Sequence, residues 1–249
     1  FAGVCKGSFS TPHPRTPRRN LPPPIFPGAT AMTCSIGTAQ ADVVVLNFEG
    51  INATYPSGFA NIYDFYNGGT SSDGTSGVNY GVQFTDNALA ICLNTPGNYC
   101  SNTSRGGVAP GSELGALFWL NGPETYMNYA AGFENGFSFN YAAPNTPGSV
   151  SVYDGLNGTG NLLATLDLGL TPSTCGSEYS AQYCPFVAAG VNFAGVAKSI
   201  SFAGTANYIV FDDVTFGSAI PGVPEPSTYA LFAAGLLGLA YTARRRSRG

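Results

Sequence analysis

Only one histidine, His13, occurs in the 249 residues, and it lies near the N-terminus. A fold beginning near Asp42 therefore has no histidine. That excludes Ser-His-Asp and Cys-His catalysis there, and the usual His-bearing zinc sites. Charge is also scarce: 10% of residues are Asp, Glu, Lys or Arg, against roughly 25% in an average soluble protein. Cations are scarcest of all. Between Asp42 and Val223 the only ones are Arg105 and Lys198, whereas thirteen of the fourteen acids lie there. Such an acidic core repels a phosphate backbone, so we expect no nucleic-acid partner. It is compatible with cations or neutral sugars. No convincing amphipathic helix is visible. A phosphate loop is excluded too: the Gly-rich run Asn67–Gly77 has no Lys and no helix pattern after it.

What the chain has in quantity is glycine (33), proline (18) and aromatics (13%). Many turns and a large apolar content favour short strands joined by loops. Strand-like segments recur at 42–50, 77–84, 88–93, 115–120, 125–131, 136–142, 149–154, 161–168, 186–193, 198–204 and 207–217. Alternation is clear in Phe137-Ser138-Phe139-Asn140-Tyr141 and in Val150-Ser151-Val152-Tyr153. The expected fold class is all-β, a two-sheet antiparallel sandwich over residues 42–219.

Six cysteines divide by position. Cys5 and Cys34 fall in the N-terminal stretch. Four cysteines permit three connectivities. Local pairing of Cys92 with Cys100 and Cys175 with Cys184 is favoured, because each pair brackets a polar loop. The spacings contain no C-x-x-C element, which tells against zinc. Disulfides imply an oxidising compartment.

The two ends differ from the core. Ala39-Gln40-Ala41 has the form of an export cleavage site, preceded by Arg15, Arg18 and Arg19. The stretch between holds four prolines and makes a poor apolar segment. We expect residues 1–41 to be a leader or export segment that is disordered or has a misassigned start. At the other end, Pro224-Glu225-Pro226 sits in a linker, 220–228. The apolar run 229–243 follows, carrying Tyr229, Leu231, Phe232, Leu236, Leu237 and Leu239. It is expected to be a short hydrophobic membrane helix. Residues 244–249, with Arg244, Arg245, Arg246 and Arg248, form a basic tail. That tail fits a cytoplasmic flank with the main domain outside.

Pro-Glu-Pro, a short apolar segment and terminal arginines in this order resemble the PEP-CTERM sorting signal of Gram-negative, exopolysaccharide-producing bacteria. The resemblance implies recognition by an exosortase, a membrane protease that removes the tail near the motif. It also implies a precursor transiently held in the inner membrane, then release to the cell surface or extracellular matrix. The mature C-terminus is expected near 224–227. The stretch SVSVYDGLNGTGNLLATLDL and the closing FDDVTFG resemble jelly-roll domains found ahead of such tails and, more loosely, carbohydrate-binding jelly rolls. Many of the latter place first and last strands side by side around a structural calcium. On that resemblance Glu49 and Asp213 are the candidate metal ligands. Asp212 is expected on the opposite face by alternation. No cofactor is required. Extracellular polysaccharide is the expected external partner, bound without catalysis. A purely structural surface or biofilm role is the alternative. A glycosidase using paired carboxylates is a further one, although the acids show no recognisable pair. Tyr63, Phe65, Tyr66, Tyr80, Trp119, Tyr126 and Tyr129 could stack on sugars, but most are expected in the core.

Overall fold

The computed structural model describes residues 43–52, 58–93, 114–174 and 183–222, and the backbone alone of 105–106 and 181–182. Fourteen strands run in chain order: β1 (Val44–Leu46), β2 (Phe59–Asn61), β3 (Val82–Phe84), β4 (Leu89–Cys92), β5 (Arg105–Gly106), β6 (Gly115–Phe118), β7 (Glu124–Phe133), β8 (Gly136–Ala142), β9 (Gly148–Tyr153), β10 (Leu162–Leu168), β11 (Ala181–Gln182), β12 (Val187–Asn192), β13 (Ala197–Gly204) and β14 (Val210–Phe216). Each segment expected to be a strand contains one. Three short strands carry no alternation long enough to announce them: β2, β5 and β11. The described residues contain no helix. The expected helix 229–243, the basic tail and the leader lie outside them.

Two sheets form the sandwich. The larger has the order β12-β8-β14-β6-β4-β2, with β1 also paired to β14; the smaller has the order β10-β9-β13-β7-β3. All these pairings are antiparallel, whereas the two-residue strands β5 and β11 pair in parallel. The first and last strands are neighbours, Val44 opposite Phe216 and Leu46 opposite Val214.

Side-chain alternation decides the core. Phe137, Phe139 and Tyr141 of β8 face the smaller sheet, where Val150, Val152, Ile200 and Phe202 meet them. Phe202 sits at the centre, its ring 4.8 Å from Phe211 and 6.0 Å from Phe137. Burying such a phenyl ring fully contributes up to about 3 kcal/mol from transfer out of water.

The outer faces differ. That of the larger sheet carries a second apolar cluster, in which Ile91, Phe118 and Val210 pack with Tyr183 and Phe186. The outer face of the smaller sheet is polar: Ser149, Ser151, Ser199 and Ser201 lie in register with Tyr126 and Asn128. Here alternation between apolar core and polar outside persists across the whole sheet.

Candidate functional site

The candidate calcium ligands sit where β14 changes partners. Its Phe211 pairs with Leu117 of β6, and from Val214 onward it pairs with β1. Asp212 and Asp213 occupy the step between. On the other side, the register with β8 jumps from Asp212 opposite Asn140 to Thr215 opposite Ser138. One extra residue on β14 makes this a β-bulge, and Asp213 takes a φ of 49° to form it. Paired residues on adjacent strands share a face, so Asp212 lies on the Asn140 side. Asn140 Nδ2 donates to Asp213 Oδ2 at 3.0 Å, which brings Asp213 to that face as well. The expectation of opposite faces is thus overturned by the bulge. The Asp213 amide donates to Asp212 Oδ1 at 2.7 Å.

Both aspartates have no exposed surface, and Asp213 Oδ1 has no hydrogen-bond partner. Burial pushes the Asp213 carboxyl up to about 6, although the Asn140 bond opposes the shift. Glu49 follows β1 and turns to β6, its Oε1 accepting the Gly115 amide at 2.7 Å. Gly115 is required there, because a methyl group would strike the Phe48 carbonyl. Tyr66 accepts the Phe48 amide at 2.9 Å. Its hydroxyl pKa is driven far up, mainly by burial, with the charges of Asp212 and Glu49 adding to it. Among the described residues, no three His, Cys, Asp or Glu side chains group as metal ligands.

An open, polar cleft lies instead at the smaller sheet. It encloses about 350 Å³ and is lined by Gln83, Phe84, Thr85, Asp86, Asn128, Leu156 and Asn157. The loop after β9, Gly155–Gly160, builds one wall by folding back over the sheet. Asn128 Oδ1 accepts the Asn157 amide at 2.8 Å, and its Nδ2 donates to Asn157 Oδ1 at 2.7 Å. Ser199 clamps the same loop, accepting the Gly158 amide and donating to the Gly155 carbonyl. Beside the cleft, burial and a hydrogen bond to Glu124 push the Tyr126 hydroxyl up to about 12. Ser201 donates to the same Glu124 carboxylate. Amides, a hydroxyl, one carboxylate and the exposed Leu156 suit a neutral, hydroxyl-rich ligand better than a charged one.

The cleft is not legible in the sequence, where Gly155–Gly160 merely falls between the strand-like segments 149–154 and 161–168. The paired amides Asn128 and Asn157 are 29 residues apart, and no short motif joins them. Most of the aromatics pack in the core, as expected, with Tyr80 and Tyr129 partly buried against it. Phe65, Tyr66 and Trp119 are buried in the core, while Tyr63 is exposed. The Gly-rich loop is exposed over most of its length but anchored at two points: Ser71 and Thr75 both donate to the Ile51 carbonyl.

Cys92 ends β4 in full burial, and Cys184 lies beside the second apolar cluster. Neither is a free thiol. Their expected partners, Cys100 and Cys175, lie outside the described residues, as do Pro224, Glu225 and Pro226.

The chain leaves β14 along a fixed path. It turns at Gly217, whose amide donates to the Gly136 carbonyl at 3.0 Å. Ser138 Oγ then donates to the Ser218 carbonyl at 2.9 Å, and the Gly222 amide donates to Thr215 Oγ1 at 2.9 Å. Ala219 packs so close to Gly190 that a methyl there would collide with its carbonyl. Residues 217–222 therefore form a strap on the larger sheet, and the described chain stays on the sandwich through Gly222.

From the last residue of the strap onward, residues 222–246 match the family model of the PEP-CTERM protein-sorting motif. The motif implies an exported surface protein, made as a membrane-anchored precursor and sorted by an exosortase, a membrane enzyme. No curated protein matches the chain.

Proposed function

We propose, with the sorting motif as premise, that this chain is a non-catalytic binding module of the cell surface or extracellular matrix of a Gram-negative bacterium. Its ligand is a neutral polysaccharide, held in the cleft between the loop 155–160 and β3. The cleft itself supports this reading: in it amide, hydroxyl and apolar groups converge on an open space. A sugar chain offers hydroxyls to the amides of Gln83, Asn128 and Asn157 and an apolar ring face to Leu156. The low positive charge of the domain disfavours acidic polymers.

The domain reaches its site through an oxidising compartment, where Cys92–Cys100 and Cys175–Cys184 close as local disulfides. Metal is not needed in this reading. At the β1–β6–β14 junction, Glu49 accepts the Gly115 amide and Asp213 Oδ2 accepts from Asn140, so protein donors already engage both candidate ligands.

Affinity electrophoresis against a panel of neutral and acidic polysaccharides, with calcium and with chelator, tests the proposal. Retention on one or more neutral polymers is expected, unchanged by chelator. Leu156→Ala and Gln83→Ala should each weaken it several-fold. Absence of retention on every polymer, from folded protein, would leave a structural surface role in its place.

A further inference from the structure

We infer that in the tail-bearing precursor the end of the sandwich from which the chain exits rests on the lipid bilayer, with Ile220, Val43 and Val196 as its contact points. The inference rests on the sorting tail entering a membrane, and it adds where the folded domain then stands.

The first argument is length. The apolar run begins at Tyr229, and the strap holds the chain on the sandwich as far as Gly222. Only residues 223–228 remain as tether, and they span at most about 25 Å at full extension. Were the chain free from Phe216 onward, the reach would be about 45 Å. The strap therefore removes nearly half the slack. A ten-residue strand such as β7 is itself roughly 33 Å long. A sandwich built on it cannot turn its far end to the membrane on so short a tether.

The second argument is what lies at that end. Val43 precedes β1 beside Phe216, the last residue of β14. The turn before β13 stands at the same end, since Asn192 pairs with Gly136 and Phe193 donates its amide to the Asn135 carbonyl. That turn carries Val196. Ile220 projects from the strap and is 77% exposed, the most exposed large apolar residue described; Val43 and Val196 are 47% and 40% exposed. Singly, exposed apolar residues are ordinary. Three of them around the exit of a membrane tail match an interfacial layer, where aliphatic groups leave water while the domain stays above the headgroups. The cleft itself opens on the outer face of the smaller sheet, between β3, β7 and the loop 155–160.

Tryptophan fluorescence tests the stance. The protein has one tryptophan, the buried Trp119, which serves as an internal reference. Full-length protein would be reconstituted in phosphatidylcholine vesicles with and without lipid brominated near the headgroup, and recovered by flotation. Fluorescence added by Ile220→Trp should be quenched at least threefold more than that added by Tyr208→Trp, at the opposite end beyond β13. Inserting twenty Gly/Ser residues after Gly222 should abolish the difference. Equal quenching of the two variants in floated protein would overturn the inference, and would leave the exit end to a protein surface such as that of the processing enzyme. Failure of the wild-type chain to float would instead overturn the reading of the tail, and the inference with it.

Discussion

At the scale of single residues, the Asp212–Asp213 bulge stores an electrostatic cost. A carboxyl without exposed surface, one oxygen of which has no partner, resists ionisation. Because the folded-state pKa of Asp213 lies above its unfolded value, its contribution to stability is fully present below about pH 4. It is lost as pH rises through about 6. Asp213→Asn keeps an acceptor for Asn140, tolerates the left-handed backbone and carries no charge. Thermal melts should show the variant several degrees more stable than wild type at pH 8 and matched to it at pH 4. Equal melting curves at both pH values would show that this carboxyl is not held up by burial. Glu49 accepts a hydrogen bond from the Gly115 amide. Glu49→Gln should preserve it, whereas Glu49→Ala should cost about 1–3 kcal/mol in urea unfolding, by leaving the Gly115 amide unmet. Chelator should shift neither wild type nor Glu49→Gln. Neither effect was visible in the sequence: strict alternation separates Asp212 from Asp213, and only the inserted residue brings them together.

At the scale of strands and connections, what was legible depended on length. Segments of five or more residues with apolar-polar alternation, such as β8 and β9, announce themselves, since one face must enter a core. β2, three residues long, is held by its pairing with β4, from Phe59 opposite Ile91 to Asn61 opposite Leu89, and that is a long-range fact. The outer face of β8 was also opaque. Alternation puts Ser138 and Asn140 on the polar face of β8, yet both are buried, by the strap and by the β14 bulge. The cleft was least legible of all, because its amides come from β3, β7 and the loop after β9. The strap yields a test at this scale. Gly190→Val should dislodge Ala219 and speed hydrogen exchange of the Gly222 amide by an order of magnitude or more. Phe202→Ala, in the core, should instead destabilise the whole domain by about 3–5 kcal/mol.

At the scale of the whole molecule, the sandwich is asymmetric: one outer face is covered and the other is open. Cys92 and Cys184 are flanked in the chain by residues of the second apolar cluster, Cys92 by Ile91 and Leu93 and Cys184 by Tyr183. If each closes locally, reduction should lower stability by about 2–3 kcal/mol per bridge. Chemical denaturation with and without reductant measures this, and an unchanged midpoint would tell against both pairings. The strap has a consequence after processing as well. A carboxypeptidase needs a frayed end to begin, and a chain cut at 224–227 would offer only two to five residues beyond Gly222. Its last described amide is already bonded to Thr215, and Ala219 is wedged against Gly190. The mature protein would thus carry a sealed terminus, suited to a long residence among extracellular exopeptidases.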